Sequence, residues 1–206
     1  MENKAIQKFL RRAQLIEAAK VVFADKGYYS TTISDIVKVA GVSQGTFYLY
    51  FEDKKSIFEA VREEIFHKLR RYLWGYTGEI KDPFAKLEKG LEAFFMMYFE
   101  SPKLFHIFYD QAQLVGSDSN LRTNSMINAI RKDVENILDQ AITQYSLSHM
   151  DTALIAWAVC GMAITTAKAC VNKGNPRDLA HQLAAFIRQG LGTEQVRSND
   201  YSSLGF

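Results

Sequence analysis

A chain of 206 residues, 48% of them apolar, can bury a core and form one or two small domains, so it falls in the globular, soluble class. The formal net charge of +2 is uninformative as a total, but residues 1–51 carry 7 Lys/Arg against 4 Asp/Glu, whereas residues 52–206 carry 18 against 19. A basic first part on a near-neutral body is the footprint of one end that meets phosphates, and equally fits an ordinary solvated face.

The opening MENKAIQKFLRR lacks the apolar stretch of a secretion signal, so a cytoplasmic protein is expected. Ile6, Phe9, Leu10, Ala13, Ile16, Ala19 and Phe23 form one helical stripe over residues 4–26, ended by Gly27, and this first helix is expected to pack across the elements that follow. Ile33, Ile36, Val37 and Ala40 then recur at the i, i+3, i+4, i+7 spacing of a short helix. Thr32 ahead of it and Asp35 three residues later make a capping-box pattern. Gly41 takes a positive φ without a Cβ clash, so the chain can turn sharply there, and Ser43 caps a second short helix. Two short helices joined by a glycine turn are the helix-turn-helix arrangement, whose second helix lies in the DNA major groove. In that second helix Phe47 and Phe51 face the core, leaving Gln44, Thr46, Tyr48 and Tyr50 outside. Gln44 can pair with adenine, the Thr46 methyl suits a thymine methyl, and Gly45 lets the backbone come close to the duplex.

Over these residues the chain resembles the TetR family of bacterial transcriptional regulators. The resemblance runs from Phe23-Ala24-Asp25-Lys26-Gly27-Tyr28 through Thr32, Ile36, Ala40-Gly41-Val42-Ser43 and Gly45-Thr46-Phe47-Tyr48 to Phe51 and Lys54. It covers about the first quarter of the chain, and Val37 departs mildly from the small residue usual at its place. The resemblance implies an all-α fold of about nine helices. Residues 1–52 are expected to form a three-helix DNA-binding domain and residues 53–191 a helical ligand-binding and dimerisation domain, and residues 192–206 read as a disordered tail. It also implies that Thr32, Tyr48 and Lys54 hold phosphates, that Gln44, Thr46 and Tyr50 read bases, and that Ser43 and Gly45 belong to the same double-stranded DNA surface.

A fourth helix opens at Lys54, with Ile57, Phe58, Val61, Ile65, Leu69 and Leu73 along one side, and runs toward Gly75 as a stiff connector. Asp82-Pro83, Ser101-Pro102 and Asn175-Pro176 each place a good N-cap before a proline at the first helical position, marking three helix starts. Helices are expected at 83–99, at 102 to about 114, and from about 121 to 145. A GSDSN loop separates the last two at 116–120, and Ser148 caps the next helix. That helix, about 149–173, is apolar nearly all round, and its uncharged run 152–167 falls short of the roughly 20 residues a membrane span needs. It is therefore expected to be buried in protein, with no membrane partner, and its Cys160 and Cys170 to be reduced core thiols. The next helix, 176–191, has small Ala180 and Ala184 on one side, which permits close approach of a second helix. In the TetR family the last two helices build a homodimer interface; burial of both inside one subunit is the other reading of the same pattern. A dimer suits a palindromic operator, because two recognition helices about 34 Å apart meet successive major grooves.

No catalytic, metal-binding or cofactor signature is present: there is no HExxH, GxSxG, GxGxxG after a strand, or Walker loop. His106 and Asp110 have the spacing of a metal pair, but two ligands make no site. The run FFMMYF at 94–99, followed by Phe105 and Tyr109, is dense enough in aromatic and methionine side chains to line an apolar cavity. Proteins of the TetR type hold a small-molecule pocket in this region, and Phe95, Tyr98, His106, Tyr109, Asp110, Gln113 and Trp157 are the candidate lining for a hydrophobic effector. The expected protein is a repressor released by that effector. A ligand-independent DNA-binding protein whose body binds another protein, and an enzyme using the cavity, are the two alternatives.

Overall fold

The computed structural model describes residues 2–110, 117–147 and 150–192, and every regular element among them is helical. In chain order these are α1 (Glu2–Ser30), α2 (Ile33–Ala40), α3 (Gln44–Tyr48), α4 (Lys54–Thr77), α5 (Pro83–Glu100) and α6 (Pro102–Phe105), then a π-helical turn (His106–Asp110), α7 (Ser117–Tyr145), α8 (Thr152–Cys170) and α9 (Pro176–Gly192). The all-α architecture of about nine helices is therefore as expected. Two compact units are present: one runs to Lys68 and takes in Ser101–Met126, and the other is Leu69–Glu100 with the chain from Ile127 on.

In the first unit, α1 buries Leu15, Ile16, Ala19, Val22 and Phe23, and α2 buries Ile36, Val37 and Ala40. Phe47 and Phe51 close the core from beyond the turn, and Ile57, Phe58 and Val61 close it from α4. Phe58 meets Phe23 edge-on, with ring centroids 5.1 Å apart. Each fully buried aromatic of this set contributes about 1.5–3 kcal/mol through the water it sheds. The stripe expected along all of α1 is used only from Leu15 onward: Ile6, Phe9 and Leu10 are 52%, 72% and 57% exposed. An eight-residue α2 spans only about 12 Å, so it cannot cover a helix of 29 residues. Gly75 does not stop α4, which winds on to Thr77; a single helical glycine costs about 1 kcal/mol and is no breaker by itself.

In the second unit, Pro83 and Pro176 open α5 and α9 as expected. Asp82 Oδ1 accepts the Ala85 N–H at 2.7 Å, and Asn175 Oδ1 accepts the Arg177 N–H at 2.9 Å. Pro102 also opens its helix, but Ser101, at φ −145° and ψ 60°, makes no side-chain cap. The expected helix from 102 to about 114 is instead a four-residue α6 that widens into the π-helical turn. Helix α7 begins at Ser117, inside the segment expected to be a loop; Gly116 lies outside the described residues. Asp151 caps α8, accepting the Leu154 N–H at 3.0 Å, while the expected cap Ser148 and residues 193–206 lie outside the described residues.

Helix α9 packs along α5, and the small face that was expected to admit a second helix, Ala180 and Ala184 with Ile187 and Leu191, is buried within the chain itself. Glu92 of α5 ties the pair further, receiving Lys89 Nζ at 2.6 Å and Arg177 Nε at 3.2 Å. Helix α8 is not buried all round. Only Ala156, Val159, Ala163 and Ala167 are buried, and Leu154 and Trp157 are 65% and 53% exposed. At 19 residues and mean hydropathy 1.6 it is also long and apolar enough to cross a membrane by length and composition, which the shorter uncharged run in the sequence was not. Cys160 and Cys170 are free and half-buried, and burial pushes the Cys160 thiol up to about 11.

Gly41 ends α2 in the left-handed region at φ 65°, ψ 36°. Its N–H is bonded to Lys38 O and the Val42 N–H to Val37 O, so the turn is fixed from both sides. Gly41→Ala is expected to lower folding stability by about 1–2 kcal/mol, because an L side chain is strained in this conformation. Denaturant unfolding measures it, and an unchanged free energy would show that the turn relaxes to another geometry.

Candidate functional site

The helix-turn-helix is built by local hydrogen bonds around two very short helices. Thr32 Oγ1 accepts the Asp35 N–H at 3.1 Å and donates to Asp35 Oδ2 at 2.8 Å, and Asp35 Oδ2 accepts the Thr32 N–H at 3.0 Å. The expected capping box is therefore complete. Lys26 Nζ, from α1, donates to the other Asp35 oxygen at 2.7 Å. That hydrogen bond first, and the Thr32 contacts after it, hold the Asp35 carboxyl far below the usual carboxylate range. At the far end of α2, Gln14 Nε2 of α1 donates to Ala40 O at 2.6 Å, satisfying a carbonyl that the helix end leaves open. Ser43 caps α3, its Oγ accepting the Thr46 N–H at 3.2 Å and lying 2.9 Å from Thr46 Oγ1.

Phe47 is fully buried and meets Phe51 at 5.7 Å, which pins α3 by its inner side. The outer side is then Gln44 and Gly45, both exposed, with Tyr48 57% exposed, while Thr46 and Tyr50 are half-buried. Thr32 is exposed on the same compact unit. Leu49, 75% exposed, continues the outer side and was not singled out in the sequence. Gly45 is exposed for no internal reason: an added Cβ would meet only Ser43 Oγ, at an ordinary 3.8 Å. Lys54 differs from the rest of the expected DNA set. Its Nζ donates to Tyr28 O and Thr31 O at 2.8 Å each and to Tyr29 O at 3.3 Å.

Two side chains of α1 outside the expected site support this surface. Gln14 does so at the turn, and Arg12 lies with its guanidinium 5.1 Å from the Phe51 ring centre, carrying a cation to the end of the α3 segment. Only the fold places them there; in sequence Gln14 looks like an ordinary surface residue of a helix, and Arg12 could approach a DNA backbone or be simply solvated.

The ligand candidates that the structure describes are divided between the two compact units. Phe95 is fully buried and Tyr98 is 7% exposed, and they join Phe94 and Phe99 in a run of ring contacts at 5.6–6.5 Å. Trp157 faces outward on α8 under the Arg131 guanidinium at 5.3 Å. His106, exposed, and Tyr109, half-buried, belong to the first compact unit; Gln113 and the side chain of Asp110 lie outside the described residues. None of the candidates among the described residues lines the open cleft of about 670 Å³ in the first unit, which is walled by Val21, Val39, Lys26, Lys38 and Lys103 among others.

The profile of the family described as "Bacterial regulatory proteins, tetR family" matches residues 15–61. The "Fatty acid metabolism regulator protein" of Bacillus subtilis is 34% identical over 138 residues, spanning 67% of this chain and 69% of that protein. The HTH-type transcriptional repressor KstR2 of Mycobacterium tuberculosis is 31% identical over 121 residues, 57% of this chain and 58% of that protein. Among solved structures, the transcriptional regulator FadR from Bacillus subtilis in complex with stearoyl-CoA superposes with a TM-score of 0.78 at 22% identity, over 86% of this chain and 98% of that one.

The Asp35 cap ties stability to pH. A carboxyl depressed on folding contributes stability that is fully present above its ordinary value of about 4 and is lost as pH falls from there through the folded value. Asp35→Asn is expected to lower the thermal midpoint at pH 7, with the gap to wild type constant down to about pH 5 and narrowing below about pH 4. A gap that stays constant into strong acid would show that the cap does not work through the ionised carboxylate. Gly45→Ala is expected to raise folding stability by about 0.5–1 kcal/mol. The same change should weaken duplex binding by about tenfold or more, roughly 1.4 kcal/mol. Unaltered binding in a fluorescence-anisotropy titration would show that no backbone of a duplex approaches this position.

Proposed function

The chain belongs to the tetR family of bacterial regulatory proteins, and from that premise we propose that it is a repressor whose effector is a long-chain acyl-CoA. It is a homodimeric, DNA-binding transcriptional regulator that responds to a small hydrophobic ligand. The observation that carries the DNA-reading half is the two-sided α3: Phe47 locked inside, Gln44, Gly45 and Tyr48 held outside. In this reading Gln44, Thr46 and Tyr50 meet base edges, Thr32, Ser43 and Tyr48 meet phosphates, and Gly45 lets the backbone close on the groove.

Dimerisation is assigned to α8 and α9. Their inner faces are already covered within the chain, whereas Leu154, Trp157 and Phe186 leave an apolar outer face, with Phe186 64% exposed. Two copies meeting through these faces form a four-helix arrangement, and that contact rather than a bilayer takes up the apolar side of α8. The regulator then acts in the cytoplasm, on a palindromic operator.

What supports acyl-CoA as the effector class is relatedness to a fatty acid metabolism regulator, together with a fold shared with a FadR that holds stearoyl-CoA. The acyl chain is assigned to the aromatic and methionine run Phe94–Phe99, a largely buried apolar region of the right chemistry in the second unit. Binding there favours the conformation unsuited to the operator, a coupling of about 1–3 kcal/mol. Adding stearoyl-CoA to a preformed complex with a selected duplex is expected to lower duplex affinity by about 5- to 150-fold, with free coenzyme A inert. Affinity unmoved by acyl-CoAs of any chain length would make this a regulator without an acyl effector.

A further inference from the structure

We propose that Lys54 serves DNA recognition from inside the protein, as a clasp that fixes the α1–α2 corner to the first turn of α4. It is a positioning residue, not a phosphate contact. The inference rests on the DNA-binding reading and departs from the role that the family resemblance gave this lysine.

Helix α1 breaks at Gly27, whose φ of 75° and ψ of 169° are far from helical. The carbonyls of Tyr28, Tyr29 and Thr31 lie just past that break, where α1 ends at Ser30 and the chain has only a few residues in which to enter α2. An ammonium group has three N–H donors and no acceptor. The structure matches three carbonyls to those three donors, at 2.8, 3.3 and 2.8 Å. The Tyr28 ring sits below the ammonium, with its centre 4.5 Å from Nζ, and is itself held against Phe58 at 4.7 Å. A phosphate could be engaged only by giving up one of these carbonyls.

The clasp acts on the reading head because both of its ends are rigid. On one side, Asp53 and Ser56 cap each other at the start of α4: Ser56 N–H donates to Asp53 Oδ1 at 2.7 Å, and Asp53 N–H to Ser56 Oγ at 3.2 Å. On the other, Thr31 is 1% exposed and its hydroxyl donates to Gly27 O at 2.6 Å, immediately before the Thr32 cap of α2. Lys54 thereby joins the start of α4 to the residue that sets where α2 begins, and through α2 it sets the placement of α3.

The salt dependence of binding separates the two roles. A lysine that neutralises a phosphate contributes about one counterion, so its loss flattens the slope of log affinity against log salt by about 0.9. Lys54→Met is expected to weaken binding to the selected duplex by about tenfold or more while leaving that slope unchanged. Tyr28→Leu, which removes only the ring below the ammonium, should weaken binding too, and the double variant should lose less than the two single losses combined. If Lys54→Met does not fold, Lys54→Arg decides the matter. It keeps a cation but replaces the compact three-donor head with a planar fork, so the clasp predicts lower affinity at unchanged slope. A slope reduced by about 0.9 in Lys54→Met, additive losses with Tyr28→Leu, or full wild-type affinity in Lys54→Arg would each overturn the proposal. A wild-type chain that binds no duplex would overturn the DNA-binding reading along with it.

Discussion

The structure of the reading head depends on how the backbone is satisfied at one corner, residues 27–35. Helices of eight and five residues are too short to be stable alone, since the first turn of any helix fixes many dihedrals for one hydrogen bond. Their geometry has to come from outside them. At the corner it comes from side chains that answer open backbone groups: Thr31 at Gly27 O, Thr32 and Asp35 at each other, and Lys26 on the Asp35 carboxylate. Beyond α2 the same device recurs, with Gln14 at Ala40 O and Ser43 at the Thr46 N–H. The core then needs only to orient a pre-formed piece, which Ile36, Val37 and Phe47 do by being buried on one side.

The division of labour in α3 follows. Its inner residues leave no freedom of rotation, so the outer ones present a fixed pattern of hydrogen-bonding groups, the condition for telling one base pair from another. Gly45 is informative because nothing in the protein needs a glycine at that helical position. In the second unit the apolar surface is spent twice. Ala156, Val159, Ala163 and Ala167 of α8 and Ala180, Ala184, Ile187 and Leu191 of α9 are buried within the chain, while Leu154, Trp157 and Phe186 are left outward. Three large apolar side chains outward on two neighbouring helices are what the proposed dimer contact would cover.

What was legible in the sequence was local. The Thr32–Asp35 capping box, the glycine at the end of α2, the Ser43 cap and the prolines at the starts of α5, α6 and α9 all depend on partners within four residues, and all were readable. What was not legible there depended mostly on partners far along the chain. The stripe Ile6, Phe9 and Leu10 has helical period, but period does not say where the covering helix stops. The alanines of α9 permit close approach, but only the fold says that α5 is what approaches. Ser101 has the right residue type ahead of a proline and the wrong backbone angles to cap. For the ligand candidates, composition pointed to aromatic density and could not tell that Phe95 and Tyr98 are turned in while Trp157 is turned out.

The central claim is that the outward side of α3 is what meets DNA while the outward side of α8 meets another subunit. A photoreactive phenylalanine analogue placed in turn at Tyr48 and at Trp157, irradiated with a labelled duplex, tests it most directly. The account predicts a cross-link to the duplex from position 48, removed by unlabelled specific duplex, and a cross-link only between subunits from position 157. A duplex cross-link from position 157 with none from position 48 would contradict it.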